Sequence, residues 1–242
     1  MIGVAAGLSS EGIIPTVHTI APFMVERALE QIKVDLAYQA LPGNLVSVGA
    51  SLDYAALGCT HHCPADINLM NNIPGVDIYI PGHADEFAEM FSRNWNNGRL
   101  NYFRLSEQQN MTSFKGELGR AVRVSNGELG TVIAVGPILE QVMSAIKGMP
   151  LELHYASSFS AERDIEINLS NTSKKVIFIE PYYSGLLMQK STSTFSSQGY
   201  EVLQIGIPRD FVRKYGTHSE QLKFVGLDSA SIRQKIASFL EK

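Results

Sequence analysis

Short runs of β-branched and aromatic residues recur along this chain, and longer segments of helical period separate them. A strand that must travel the length of a helix before its neighbour begins pairs in parallel, so this alternation selects a sheet covered by helices. The first half offers strands at Ile13 to Val17, Leu45 to Val48, Val76 to Ile80 and Tyr102 to Leu105. Between them, Phe23 to Leu41 reads as a helix with Ala28, Leu29, Ile32 and Leu36 along one face, and Asp85 to Trp95 as a second with acidic residues at its start. From Ser106 to Gly130 the apolar period lapses into turn-rich sequence with room for one hairpin. Strands resume at Thr131 to Val135, Leu151 to Tyr155, Lys175 to Ile179 and Val202 to Ile205, and the chain closes on a helix at Ser229 to Leu240. The expectation is α/β architecture in two three-layer domains with parallel or mixed sheets, residues 1–110 and 128–242, joined by a linker at 111–127.

Composition narrows the partners. Of 242 residues, 45% are apolar and 18% charged, enough to bury one large core or two ordinary ones and too apolar for disorder. The net charge of −4 comes without any basic run, which argues against a nucleic-acid partner. No stretch approaches the roughly 20 apolar residues of a membrane span, and the opening MIGVAAGLSSEG lacks the basic residues of a secretory signal. Cys59 and Cys63 are the only cysteines, at odds with a disulfide scaffold. These features point to a cytoplasmic protein with reduced thiols and no membrane association.

The run GVAAGLSSEGIIPTVHTIAPF, an amphipathic helix, and LGCTHHCPADINLMNNIPGVDIYIPGHADE then follow in fixed order. Together they resemble the pyrimidine-binding domain of the transketolase family, in which a Gly-Ala-rich helix, a strand, an aromatic turn, a long helix and a Gly-x-Thr-His-Gln loop succeed one another. The loop here is Gly58, Cys59, Thr60, His61, His62, and Ile73, Pro74, Pro81, Asp85 and Glu86 match the later strand-turn-helix. Residues from about Glu128 onward resemble the family's carboxyl-terminal domain.

The resemblance implies a thiamine diphosphate enzyme whose cofactor lies between subunits. It also implies that this chain supplies the pyrimidine side only. No Gly-Asp-Gly followed by Asn is present, so the Mg2+ and diphosphate fall to a partner, and a homo- or hetero-oligomer is expected, with no metal ligands in this chain. By the same resemblance Phe23 and Ile20 would line the pyrimidine pocket and His61 would handle a proton near the substrate. The family's activating glutamate falls three residues before Met1, so the chain reads as a pyrimidine-binding domain lacking its N-terminal segment. Other positions depart from the pattern. Glu26 stands where an aromatic is expected, Leu57 in place of an acid, His62 in place of Gln, and Glu107 in place of an arginine that would grip a phosphate. Arg104 lies three residues before Glu107, an odd offset that puts it on the other face of a strand.

Two functions follow. One is the carboxyl-terminal component of a transketolase-like enzyme, transferring a two-carbon ketol or acyl unit only with a diphosphate-binding partner. The other is an inactive, truncated homologue acting as a scaffold or interaction subunit. Without the family, Cys59, His61, His62 and Cys63 suggest a soft-metal site, but C-x-H-H-C crowds four ligands into five residues, whereas zinc ligands come in separated pairs. Tyr182 and Tyr183 follow a strand and are expected mainly in packing.

Overall fold

The computed structural model describes residues 1–163, 165–191, 195 and 199–241. Two five-stranded sheets, each covered by helices, form its framework. The first contains β1 (Thr16–Ile20), β2 (Gly43–Val48), β3 (Val76–Tyr79) and β4 (Leu100–Arg104), all parallel, in the order β1-β2-β4-β3. The second contains β6 (Thr131–Val135), β7 (Glu152–Ala156), β9 (Lys175–Tyr183) and β10 (Glu201–Ile207), again parallel, in the order β10-β9-β6-β7.

Each strand expected from the alternation is present, most with shifted ends. The first starts at Thr16 rather than Ile13 because Pro15, without an N–H, cannot donate to a ladder. Ile13 is left 55% exposed.

Two short strands were not legible. β5 (Val122–Ser125), within the turn-rich stretch, makes no local hairpin and instead joins the second sheet antiparallel to β7. β8 (Ser158–Ser160), reached from β7 through Ser157 alone, crosses to the first sheet and pairs antiparallel with β3. One continuous segment therefore contributes to both sheets and ties them together.

The helix expected over Phe23 to Leu41 is interrupted. A wide π turn at Pro22–Glu26, one turn of α-helix at Leu29–Gln31 and a second π turn at Ile32–Ala37 replace it. The five-residue hydrogen bonds, Arg27 N to Pro22 O at 3.0 Å and Tyr38 N to Lys33 O at 2.8 Å, mark the two wide turns. Met24, Val25, Ile32 and Leu36 remain buried, so the segment keeps its apolar face while Phe23 stays partly in solvent. Elsewhere helices form as the pattern predicts: one at Ala84–Asn94, capped by His83 accepting from Asp85 N, and the last at Ser229–Leu240, capped by Asp228. Among the described residues no helix is long and apolar enough to cross a membrane.

Candidate functional site

The carboxyl ends of parallel strands form a crevice, because loops leave there on opposite sides of the sheet. In the first sheet β1 ends at Ile20, β2 at Val48 and β4 at Arg104, and all three lead into the same region. Ile20 is half-buried, and Pro22 then opens the π turn that carries Phe23. Beyond β2 the chain turns through Gly49, with φ of 77°, where an added Cβ would lie 2.0 Å from the Tyr54 ring, so only glycine fits. The loop to Cys63 follows. Its tip is closed by the amides of His61 and His62, both donating to Gly58 O at 2.9 and 3.0 Å.

This closure brings His61 against Phe23, with ring centroids 6.4 Å apart and the planes tilted by 49°. Tyr54 meets the His61 ring edge-on at 5.9 Å, and Thr60 Oγ1 lies 2.9 Å from His61 Nδ1. Thirty-eight positions of sequence separate Phe23 from His61, and the fold makes them neighbours. Phe23 is 36% exposed, and the Arg27 guanidinium lies 4.0 Å from its ring centroid.

A buried ion pair holds the base of the loop. Arg104 Nε donates to Asp66 Oδ2 at 2.7 Å, and the Tyr102 hydroxyl donates to the same oxygen at 3.0 Å. Arg104 also donates to Ser51, whose hydroxyl donates to Pro181 O in the second sheet, and Ser51 O accepts from Cys63 N. Arg104 is thus consumed internally and does not present a guanidinium to a ligand, in keeping with its offset from Glu107. Glu107 is exposed, and its amide donates to the Asp53 carboxylate. Burial pushes the Asp53 carboxyl up, opposed by the Glu107 amide, the Ser106 hydroxyl and the charges of Arg104 and His218.

Glu26 is the departure with the largest local effect. Burial raises its carboxyl pKa, a hydrogen bond with Cys63 opposes that shift, and nearby Asp66 reinforces it. The Cys63 thiol is in turn pushed far up by burial and by Asp66 and Glu26, which leaves it a weak donor and no nucleophile. Burial lowers the pKa of His62 despite hydrogen bonds to the Tyr54 and Ala55 carbonyls, so its ring is neutral at pH 7. Leu57 is 52% exposed. Tyr182 is fully buried, as expected of packing, whereas Tyr183 lines a pocket with Glu26 and Cys59. The roles of Asp66, Asp53 and that pocket were not legible in the sequence, because each depends on contacts between distant segments.

The crevice of the first sheet thus carries an imidazole and an aromatic ring on adjoining segments. A family model for the transketolase pyrimidine-binding domain matches residues 1–112. An uncharacterized 33.6 kDa protein in the fasciation locus of Rhodococcoides fascians is 35% identical over 245 residues, covering 99% of this chain and 78% of that protein. One of the subunits of an apulose-4-phosphate transketolase from Phocaeicola vulgatus is 28% identical over 254 residues, 100% of this chain and 81% of that polypeptide. A 1-deoxy-D-xylulose-5-phosphate synthase from Syntrophus aciditrophicus is 26% identical over 98% of this chain but only 38% of the longer enzyme. Among solved structures, a split-gene transketolase described as an inactive β4 tetramer superposes with a TM-score of 0.80 at 21% identity, over 99% of this chain and 80% of that one. The transketolase of Campylobacter jejuni does so at 0.79 and 17%, over 98% of this chain and 38% of that one. The chain belongs to the transketolase family.

Proposed function

We propose that this protein is the carboxyl-terminal subunit of a two-polypeptide transketolase, transferring a two-carbon ketol or acyl unit together with a diphosphate-binding partner and thiamine diphosphate. Residues 1–110 serve as the pyrimidine-binding domain and 128–242 as the carboxyl-terminal domain, in the cytoplasm. The contact between Phe23 and His61 carries the reading, since it sets an exposed aromatic surface and a proton-handling ring side by side at the carboxyl end of the first sheet. Relatives that divide the enzyme between polypeptides support the partner, because this chain spans most of such a polypeptide and less than half of a single-chain relative.

The residues present fit one face of the cofactor. Phe23 and half-buried Ile20 offer an apolar wall of the kind a pyrimidine ring packs on. When bound, thiamine diphosphate supplies a nucleophilic thiazolium carbon, and the partner supplies Mg2+ and the diphosphate cradle. His61, with Nδ1 beside the Thr60 hydroxyl, keeps Nε2 for a substrate oxygen. Tyr54, packed edge-on, limits rotation of the imidazole.

The test is calorimetric titration of thiamine diphosphate, with Mg2+, into mixtures with candidate diphosphate-binding subunits. Saturable heat is expected only in a mixture. Phe23→Ala removes an aromatic wall worth about 1.5–3 kcal/mol and weakens cofactor binding about tenfold or more. His61→Ala leaves binding unchanged and lowers turnover about a hundredfold or more. Absence of heat with every partner abandons the enzyme reading in favour of an interaction subunit.

A further inference from the structure

The chain leaves β4 at the carboxyl end of the first sheet and runs beside the loop that carries His61. Leu105 N donates to Ser47 O at 2.9 Å, which extends the strand direction by one residue. Ser106 Oγ then donates to Asp53 Oδ1 and the Glu107 amide to Asp53 Oδ2, each at 3.0 Å. Both oxygens of one carboxylate thus fasten this segment to the loop after β2. Asp53 is 7% exposed, and the next residue, Tyr54, is the one that meets the His61 ring edge-on at 5.9 Å. Glu107 is therefore fixed by its main chain beside the wall of the candidate site, while the residue itself stays exposed.

Its charge reaches that wall. The Tyr54 hydroxyl holds its proton more tightly than an ordinary phenol, through burial first and then through the charges of Glu107 and Asp53. The two acids differ in what they have left to offer. Asp53 spends both oxygens on donors and feels the opposing charges of Arg104 and His218. Glu107 has no ion-pair partner among the described residues, so its charge is uncompensated. The two guanidinium groups at the crevice are engaged: Arg104, buried, is paired with Asp66 and donates to Ser51, and Arg27 lies over the Phe23 ring, 4.0 Å from its centroid.

An exposed carboxylate at such a mouth accepts hydrogen bonds from hydroxyl groups and repels anions. At about 6 Å and an effective dielectric constant of about 40, the repulsion weakens binding about tenfold for each negative charge on the ligand. An uncharged polyol meets only the favourable part.

We propose that Glu107 sets substrate specificity at the candidate site, admitting hydroxylated aldehydes and ketoses that are uncharged and rejecting those with an anionic end such as a phosphate. The inference rests on the two-polypeptide reading and names the substrate class of that same site.

The test uses the complex of this chain with its diphosphate-binding subunit, thiamine diphosphate and Mg2+. Erythrulose is the two-carbon donor, and glyceraldehyde or glyceraldehyde 3-phosphate the acceptor. Transfer breaks the carbon–carbon bond beside the erythrulose carbonyl and joins the ketol unit to the acceptor's aldehyde carbon. Glycolaldehyde leaves, and the proton of the cleaved carbinol passes to the new one. The kcat/KM is expected to favour glyceraldehyde by about tenfold or more. Glu107→Gln, which keeps the main-chain amide on Asp53, is expected to shift the ratio about tenfold toward the phosphate ester. Raising salt from about 50 mM to about 500 mM is expected to narrow the preference of the unaltered complex and not that of the variant. A residue needed only for folding would lower both kcat/KM values together and leave their ratio and its salt dependence unmoved. The inference is overturned if the unaltered complex prefers the phosphate ester, or if the substitution moves the ratio by less than about threefold. Turnover in either case leaves the two-polypeptide reading standing. If neither acceptor is used with any partner, that reading fails and the inference goes with it.

Discussion

Substituting Asp66 by alanine tests whether a buried ion pair, rather than the loop's own sequence, holds the candidate site in place. The Asp66 and Arg104 side chains are 0% and 1% exposed, with Nε and Oδ2 2.7 Å apart. Asp66 Oδ1 accepts the Ile67 amide at 2.9 Å, while Oδ2 also takes the Tyr102 hydroxyl. Alanine leaves the guanidinium buried with the Ser51 hydroxyl, the Tyr182 ring 5.7 Å away and the charge of Asp53, none of which replaces the paired carboxylate. Stripping one partner from a buried pair costs about 3–5 kcal/mol, most of it the desolvation of the charge left behind. With a urea dependence of about 3 kcal/mol per molar, this lowers the unfolding midpoint by about 1–1.7 M in a circular dichroism titration. The double variant Asp66→Ala with Arg104→Met removes the stranded charge and is expected to recover at least half of that loss. If the single variant loses less than about 1 kcal/mol, or the double loses as much as the single, the uncompensated charge is not the source of the cost and the reasoning fails.

Glu180 gives a pH prediction. Burial raises its carboxyl pKa to about 7, against opposing hydrogen bonds from the Gly185 and Leu187 amides at 2.6 and 2.8 Å. The folded state therefore holds a proton that the unfolded chain releases near its ordinary value of 4.5. Stability falls as pH rises from about 4.5 to about 7 and is level beyond. Glu180→Gln is expected to flatten this fall, about 3 kcal/mol in size, in urea midpoints compared at pH 5 and pH 8; an unchanged slope refutes it. Gly127 has Leu151 and Glu152 backbone atoms within 2.1–2.5 Å of where a Cβ would sit. Gly127→Ala therefore displaces β7 and is expected to cost about 2 kcal/mol or more, visible as a lowered thermal midpoint.

Periodicity is a local property, and it located the principal strands well, most plainly the central ones, which are buried on both faces. Val76–Tyr79 and Thr131–Val135 are buried at every position; the second reads as a continuous β-branched and apolar run, and the first does so except at Asp77, which pairs with Arg99. The failures have a common origin. Ser158–Ser160 carries one apolar residue between two serines and is a strand only because the β3 edge, at Asp77, Ile78 and Tyr79, lies within its reach. Val122–Ser125 pairs with a strand that starts 27 residues after its own ends. The interruption of the Phe23 to Leu41 helix is equally invisible to a 3.6-residue pattern, since its apolar residues are buried whichever turn carries them.

At the site, Ile20 ends β1, Phe23 sits on the π turn that follows it and meets His61 from the loop after β2, and the tyrosine pair divides between core and pocket. The apparent metal cluster dissolved into separate surroundings: Cys59 exposed, Cys63 buried beside Glu26, His61 on Phe23. Nothing around position 104 revealed that its arginine would be spent on Asp66, because a charge on an otherwise apolar strand looks the same whether it reaches solvent or a buried carboxylate.

The sequence by itself determined the class of fold and the family, because alternation of strand and helix and the order of short motifs are written along the chain. The tertiary structure alone decided which charges are available. Arg104 is neutralised inside, Arg213 lines a cleft without a carboxylate partner among the described residues, and Glu26 is shared with a thiol from another segment. Electrostatic energy depends on distance and burial, and neither quantity exists until residues far apart in sequence are brought together.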